Sequence, residues 1–320
     1  MSGAARVALW PILVQALVLG VVGSARAAPS TGLAADRFAV GVGPSVLLGA
    51  EGAATTPFGW MAWATALSYV SEPLRLQNRF SGEVVSRPVS HQLTLDLGLE
   101  AGLWKRIALA VGVPIVVSAA GDRLRGVSDD DRPLASASGG DLRIRLKVLL
   151  AGAGEGRAGG VDLHLALQLQ LTAPLGGQSD FAATDGVTVE PRLVFDLSPT
   201  PRLLLVGAVG VRFAPDRQVF ATQLGDELTW LAGATLGLFA RGQVHGALVA
   251  EAAGAVGATI HPAEARAAFR LGLGAISVDL GAGAGLNHEV TAPAWRLLLA
   301  VRGGFGLTAA KRQESKGSLR

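Results

Sequence analysis

The sequence predicts an all-β protein, a closed antiparallel transmembrane β-barrel of about 12 strands. Three observations predict it: polar and apolar residues alternate with a period of two, most alternating segments reach 10 residues or more, and short and long connections alternate between them. The composition agrees. Half of the 320 residues are hydrophobic and only 17% are charged, while 43 glycines argue against a helical bundle.

The chain opens with a leader over residues 1–27. Arg6 precedes an apolar run over residues 7–22, and the small residues Ser24, Ala25 and Ala27 follow it. This order is typical of a secretory signal peptide, so we expect export after cleavage near Ala27. Residues 28–58 form an N-terminal lead or plug in this interpretation, with a further strand as another possibility. The barrel follows over residues 59–308, and residues 309–320 form a basic periplasmic tail.

Strict alternation identifies the strands. Over residues 92–103 polar or small side chains alternate with an aliphatic face, and the same pattern recurs over residues 141–150 and 161–171. Extending the count gives the following twelve strands: 60–70, 91–103, 106–118, 140–151, 161–173, 186–197, 202–213, 226–239, 243–253, 263–273, 275–286 and 294–307.

Strand length and export favour a membrane barrel over a soluble sandwich. Strands of about 10 residues cross a bilayer at a tilt, whereas sandwich strands are nearer 5 or 6. A sheet in lipid must close, because an open edge leaves backbone groups unsatisfied. The predicted outer surface is aliphatic, with these aromatic residues as interface anchors: Trp63, Tyr69, Trp230, Trp295 and Phe305.

The connections predict the orientation. Short turns at 104–105, 198–201, 240–242 and near 274 are expected in the periplasm, and longer loops, including 71–89 and 119–138, on the outer side. An even strand number then places both termini in the periplasm. The predicted location is the outer membrane of a Gram-negative cell.

Charged residues on the polar faces are predicted to line the lumen. The acids are Asp96, Glu100, Asp141, Asp162, Glu190, Asp196, Glu227, Glu251 and Asp279, and the bases are Arg143, Arg145, Lys147, Arg192, Arg212, Arg266, Arg270, Arg296 and Arg302, with His164 beside them. Either these residues pair across neighbouring strands and fill the lumen, or they line a water-filled channel and tune its selectivity. Arg143, Arg145 and Lys147 form a ladder of one sign that favours anions if it is unpaired.

Several function classes are excluded. The chain has no cysteine, which removes disulfide scaffolds, thiolate zinc sites and thiol nucleophiles. Its basic character comes largely from the two ends and indicates no nucleic-acid surface. We predict no cofactor and no metal site. His91 follows Ser90, His164 lies near Asp162 and His288 follows Asn287, but these are sequence neighbours only, so we predict no catalytic residue.

A family resemblance adds to this interpretation. Residues 140–147 (GDLRIRLK), 171–176 (LTAPLG), 189–193 (VEPRL) and 225–228 (GDEL) resemble the N-terminal barrel of OmpA-family outer-membrane proteins and the related phenol-degradation-pathway class of outer-membrane transporters. The resemblance runs over most of residues 37–307 and implies a barrel. Family members often continue into a peptidoglycan-binding domain, which we do not expect in this chain.

The sequence thus predicts an outer-membrane protein that works as a passive channel or a structural membrane protein with a charged lumen. Its expected partners are the lipid bilayer and small solutes, and not nucleic acid. An outer-membrane barrel hydrolase is one alternative. A surface adhesion or receptor module acting through the outer loops is the other.

Overall fold

The structure is a computed structural model, and it describes residues 33–77, 81, 83–123, 133–135, 137–152, 161–176, 180–219 and 222–306. The predicted signal peptide and basic tail lie outside these residues. Fifteen strands occur in this part of the chain: β1 (Trp60–Gln77), β2 (Val84–Trp104), β3 (Ile107–Ala120), β4 (Ser138–Gly139), β5 (Asp141–Gly152), β6 (Asp162–Pro174), β7 (Thr188–Thr200), β8 (Leu203–Arg212), β9 (Arg217–Val219), β10 (Thr222–Leu224), β11 (Glu227–Arg241), β12 (Val244–Val256), β13 (Ala263–Leu273), β14 (Ile276–Gly285) and β15 (Trp295–Gly306). Within the same residues no helix has the length and apolarity needed to cross a membrane.

Twelve of the strands close into one antiparallel barrel. The ring runs β1, β2, β3, β5, β6, β7, β8, β11, β12, β13, β14, β15 and returns to β1. Ala64 of β1 shows the closure, because it lies opposite Gly98 of β2 on one side and Arg302 of β15 on the other. The predicted fold class and strand number are confirmed. A closed ring leaves no open sheet edge.

Each predicted strand coincides with one barrel strand, but the loop predicted over 71–89 is wrong. β1 continues to Gln77 and β2 begins at Val84. The two strands stay paired beyond Ser71 through register shifts around Leu74 and Leu76, and Glu72 has a positive φ of 48°. Each bulge reverses the face of the sheet to which the following side chains point. The regular alternation therefore stops near Val70, although the two strands remain paired beyond it.

The two faces of the barrel wall differ as the alternation predicts. Outward leucines such as Leu97, Leu167 and Leu280 are exposed, whereas the neighbouring inward Asp96 and Gln168 are buried. Aromatic side chains also face outward. Trp295 and Phe305 are exposed, and the Tyr69 ring centroid lies 5.2 Å from that of Trp295.

The connections give the barrel two unlike ends. Two-residue turns at 105–106, 201–202, 242–243 and 274–275 lie at one end, called here the short-turn end. Gly242 and Gly274 adopt the positive φ that such tight turns require. Longer connections, including 213–226 with the β9–β10 hairpin, lie at the opposite, long-loop end. β1 begins and β15 ends at the short-turn end, where Trp60 pairs with Gly306.

Residues 33–58 are called here the inner segment, and all but its exposed end at Pro57 and Phe58 lies inside the barrel. Phe38, Val42, Leu47 and Leu48 are buried, and they form one apolar cluster with small or aliphatic side chains of the wall. Those wall residues are Ala64, Ala66, Val206, Val249, Ala268, Leu298 and Ala300.

The inner segment runs from the long-loop end towards the short-turn end. At its start, Leu33 and Ala35 pack with Phe181 and Leu224 from the long connections. At its end, it approaches β2 so closely that a Cβ at Gly102 would overlap the carbonyl oxygens of Thr56 and Pro57. Glycine at this wall position is therefore a requirement of the close approach.

Candidate functional site

The interior of the barrel is the candidate site, because the charged residues converge there. Most of the residues predicted to line the lumen are buried on the inward face of their strands, as Glu100, Asp279 and Arg296 illustrate at 1%, 0% and 1% exposure. His164, Arg192, Arg212 and Arg270 are half-buried. Asp162 differs. It is the first residue of β6, at the short-turn end, and its side chain is 48% exposed.

The cationic ladder on β5 faces no carboxylate on the two strands beside it. Arg143, Arg145 and Lys147 lie opposite Gly112, Ala110 and Ala108 of β3. On the other side, their partners on β6 are Thr172, Gln170 and Gln168. The small residues of β3 leave space on the inner side of the wall, and the carboxylates that pair with the ladder reach it through that space.

Glu51 of the inner segment is the main counter-charge. Its carboxylate accepts a hydrogen bond from Arg145, lies 3.6 Å from Lys147 Nζ and accepts a second hydrogen bond from Gln168 Nε2 at 2.9 Å. The backbone N–H of Val42 donates to the same group at 3.0 Å. Burial opposes the ionisation of Glu51, but the charges of Arg145 and Lys147 outweigh it and lower the pKa of this carboxyl below its ordinary value.

Two carboxylates of β2 complete the pairing by reaching across β3. Lys147 Nζ lies 3.5 Å from Glu100, and Arg143 Nη1 lies 3.5 Å from Asp96. Thr56 of the inner segment donates to Glu100 through its hydroxyl at 2.5 Å. The ladder is thus paired, so it does not supply the free positive charge on which the anion expectation depended.

A turn of the inner segment is held by charges of both signs. Glu251 accepts hydrogen bonds from the backbone N–H groups of Leu48, Gly49 and Ala50 at 3.0–3.1 Å. From the opposite side, Arg270 donates to the carbonyl oxygens of Val46 and Leu47 at 2.8 and 2.7 Å, and Arg302 donates to that of Leu48 at 2.7 Å. The wall therefore satisfies backbone groups that this turn cannot pair within itself.

The first part of the inner segment is held at Asp36 and Phe38. Asp36 accepts two hydrogen bonds from Arg296 at 2.7 and 2.9 Å. Burial opposes the ionisation of Asp36, but the Arg296 guanidinium outweighs it and lowers the pKa of the carboxyl. The Phe38 ring contacts two cations, with Arg266 and Arg296 at 4.8 and 4.9 Å from its centroid.

A cavity of about 210 Å³, called here the chamber, remains between the inner segment and the wall. It lies in the long-loop half of the barrel, since its lining includes Asp141 and Thr188 at the starts of β5 and β7 and Arg212 at the end of β8. Asp36 and Gly49 of the inner segment also line it. The chamber exceeds the volume of a single water, about 30 Å³, several-fold.

The histidines make no hydrolytic triad among the described residues. His164 Nδ1 lies 2.7 Å from Asp196, but the group near its other ring nitrogen is Asp162, at 3.8 Å, and not a hydroxyl. The Ser90 hydroxyl lies 3.2 Å from His91 Nδ1 and donates to the carbonyl of Ala120 at 2.9 Å. Neither arrangement places an activated nucleophile beside an oriented base.

Three charged residues of the inner segment are absent from the predicted lumen set: Asp36, Arg37 and Glu51. The signal that could have predicted a charged partner in the inner segment is the sequence of the wall strands. A strand with three inward cations, beside strands that offer only small or neutral side chains, requires counter-charges from beyond those two neighbouring strands.

Comparisons with known proteins bear on the fold. No protein-family model matches the chain, and no curated protein matches it. The chain is similar to the crystal structure of an outer membrane channel from Pseudomonas putida F1, with a TM-score of 0.55 at 14% identity, over 79% of this chain and 98% of that one. It is less similar to the NanC porin, with a TM-score of 0.44 at 6% identity, over 76% and 98% of the two chains. For LpxR from Salmonella typhimurium the TM-score is 0.39 at 10% identity, over 75% and 99%.

The similarity to the Pseudomonas putida channel shows that the chain has the fold of an outer-membrane β-barrel. The OmpA-family resemblance stays a prediction, as do the signal peptide and the assignment to Gram-negative bacteria.

Proposed function

We propose that this protein is an outer-membrane β-barrel channel for small solutes whose conducting path is controlled by the inner segment. The observation that carries the proposal is the chamber, which lies inside the barrel, is lined by charged and polar as well as apolar groups of the wall, and has residues of the inner segment in its lining. An aqueous path for small polar solutes needs such a lining. The exposed leucine face of the same strands supports insertion into a bilayer.

Displacement of the inner segment is the step that opens the path in this proposal. Residues of the segment pack against apolar wall residues and pair with Glu100, Lys147 and Glu251. The segment belongs to the same chain but to no barrel strand, so it can move without breaking the strand ladder. The cost of movement is the loss of its ion pairs and hydrogen bonds.

A cysteine tether tests this step. The chain has no cysteine of its own, so an introduced pair of cysteines has no other thiol in the chain with which to form a disulfide. A Cβ at Gly98 would meet the Val42 side chain, and the double variant Val42→Cys/Gly98→Cys removes the clashing methyl while it places two thiols together. We expect oxidation to lower the conductance of the reconstituted protein in planar bilayers and to slow solute entry into proteoliposomes, and reduction to restore both.

The single variants Val42→Cys and Gly98→Cys are the controls, since neither can form the tether within one chain. Conductance of the double variant that is the same when oxidised and reduced, with the disulfide verified by mass spectrometry, would refute control by the inner segment. Absence of conductance and of solute entry for the wild type under all conditions would refute the channel itself.

A further inference from the structure

We propose that the chamber binds a small organic anion through its carboxylate, with Arg192 as the principal contact. The proposal rests on the channel function for its biological role, because it names the class of solute. The binding itself does not depend on conduction. It is carried by the way charge is distributed over one wall of the chamber.

Three arginines and two glutamates form a continuous chain of ion pairs on this wall. Arg192 Nε lies 2.7 Å from Glu190, and Arg212 bridges Glu190 and Glu227 at 3.2 and 3.1 Å. Arg37 of the inner segment ends the chain with two hydrogen bonds to Glu227 at 2.8 and 3.0 Å. Three cations against two anions leave one positive charge in excess.

The arginines and the glutamates of this chain of ion pairs are also unequally exposed. The side chains of Arg37, Arg192 and Arg212 are 24%, 24% and 22% exposed, and all three line the chamber. Their partners Glu190 and Glu227 are only 1% and 4% exposed. Of the two glutamates only Glu227 reaches the chamber lining, and the guanidinium group is the more exposed member of each ion pair, so a solute in the chamber meets chiefly the positive ends of the pairs.

The Arg192 guanidinium retains hydrogen-bond donors for a ligand. In the described part of the chain its Nε is the only nitrogen with a hydrogen-bond partner, which leaves both terminal nitrogens available. These two groups present the forked geometry that matches a carboxylate with two parallel hydrogen bonds. Thr172 and Thr188 line the chamber as further hydroxyl donors.

The rest of the lining favours an organic anion. Ala208 and Leu231 lie on the wall beside the arginines, Leu224 lies on the connection between β8 and β11, and Phe38 lies on the inner segment. A short aliphatic carboxylate can place its charge at Arg192 and its chain against these apolar groups. An inorganic anion gains only the first of the two contacts.

Calorimetric titration of the detergent-purified full chain tests the proposal without any need for conduction. The probes are butyrate, its neutral isostere butyramide, and inorganic phosphate. We expect butyrate to bind more tightly than either of the others. We expect Arg192→Gln to weaken butyrate binding by at least about tenfold, since two charge-assisted hydrogen bonds are lost, and Arg192→Lys to fall between.

Arg202→Gln is the matched control, because Arg202 is an exposed arginine in the short β7–β8 turn, outside the chamber. Heat-modifiable gel mobility checks that each variant folds. Equal binding of butyrate and butyramide, or equal affinity of wild type and folded Arg192→Gln, would overturn the anion site. Phosphate binding as tight as butyrate would overturn the carboxylate assignment. Butyrate binding by a protein that never conducts would leave this inference standing and refute only the channel.

Discussion

At the residue scale, Glu51 is the carboxylate that pairs with two of the three cations of the β5 ladder. It pairs with Arg145 and Lys147, whose side chains are 5% and 2% exposed, while its own is 2% exposed. Removing one partner of a buried ion pair is costly because the remaining charge stays out of water without compensation. For Glu51 two buried cations lose their partner at once, although Lys147 retains Glu100.

We therefore expect Glu51→Gln to lower the free energy of unfolding by about 3 kcal/mol or more. Urea unfolding of the refolded barrel in lipid, followed by tryptophan fluorescence, measures this change. Glu83→Gln is the matched control, since Glu83 is exposed in the β1–β2 connection, and its effect should be near zero. A loss for Glu51→Gln as small as that of the control would contradict the role given to this carboxylate.

The pH dependence of the same difference follows from the lowered pKa of Glu51. A carboxyl whose pKa is lower in the folded state contributes stability above its unfolded pKa of about 4.3, and this stability is lost as the pH falls through the folded-state pKa. The wild type and Glu51→Gln should therefore differ fully at pH 7 and converge at more acidic pH, below the folded-state value. A difference that stayed constant on acidification would exclude the charge as its cause.

The sequence alone predicted the cations of this site and the β2 carboxylates Asp96 and Glu100, but not the main partner, Glu51. Arg143, Arg145 and Lys147 are identified by alternation within one strand, which is a local property. Glu51 lies more than 90 residues away from them in a segment without alternation, so no local pattern connects the two. Glu100 was within the predicted set and does pair with Lys147, whereas Asp162 lies at the short-turn end and pairs with none of the three.

At the scale of single strands, β6 gives the clearest separation of the two faces. Leu163 and Leu167 are 54% and 47% exposed on the outward face, and Gln168 is buried on the inward face. Leu167 lies near the middle of the strand and Leu163 near its short-turn end. In a bilayer these two leucines therefore sit at different depths on the same face.

We expect Leu167→Arg to lower the free energy of unfolding in lipid by about 2–4 kcal/mol, and Leu163→Arg by about 0–1 kcal/mol. The cost of an arginine on a lipid face is largest at the midplane and falls towards the interface, so the two substitutions differ only in depth. The same urea titration in phospholipid vesicles measures both. Equal costs for the two variants would indicate that this face of β6 does not cross a hydrocarbon layer.

Strand positions were predictable because alternation is a property of each strand by itself. The predicted range 161–173 and the observed Asp162–Pro174 of β6 differ by one residue at each end. The signal fails where pairing continues through bulges, as in β1 beyond Ser71, and where strands are too short to alternate, as in β9 and β10.

At the scale of the whole molecule, the position of the inner segment was not predictable from the sequence. Its buried residues Phe38, Val40 and Val42 follow the period of a strand, but the adjacent buried Leu47 and Leu48 break it, and three placements were compatible with this pattern. What decides the position is complementarity with the assembled wall: small residues where the segment approaches, and charged groups where its backbone needs partners. That complementarity exists only once all twelve strands have closed.

The unlike ends of the barrel lead to a prediction about orientation in the cell. Outer-membrane barrels place short turns in the periplasm and longer loops outside. We expect an epitope tag inserted after Pro133, an exposed residue of the β3–β4 connection, to be labelled by antibody on intact cells. A tag inserted after Gly242, in the exposed β11–β12 turn, should be labelled only after the outer membrane is permeabilised. Labelling of the Gly242 tag alone on intact cells would reverse the orientation, and it would place the chamber, which lies in the long-loop half, in the periplasmic half of the barrel.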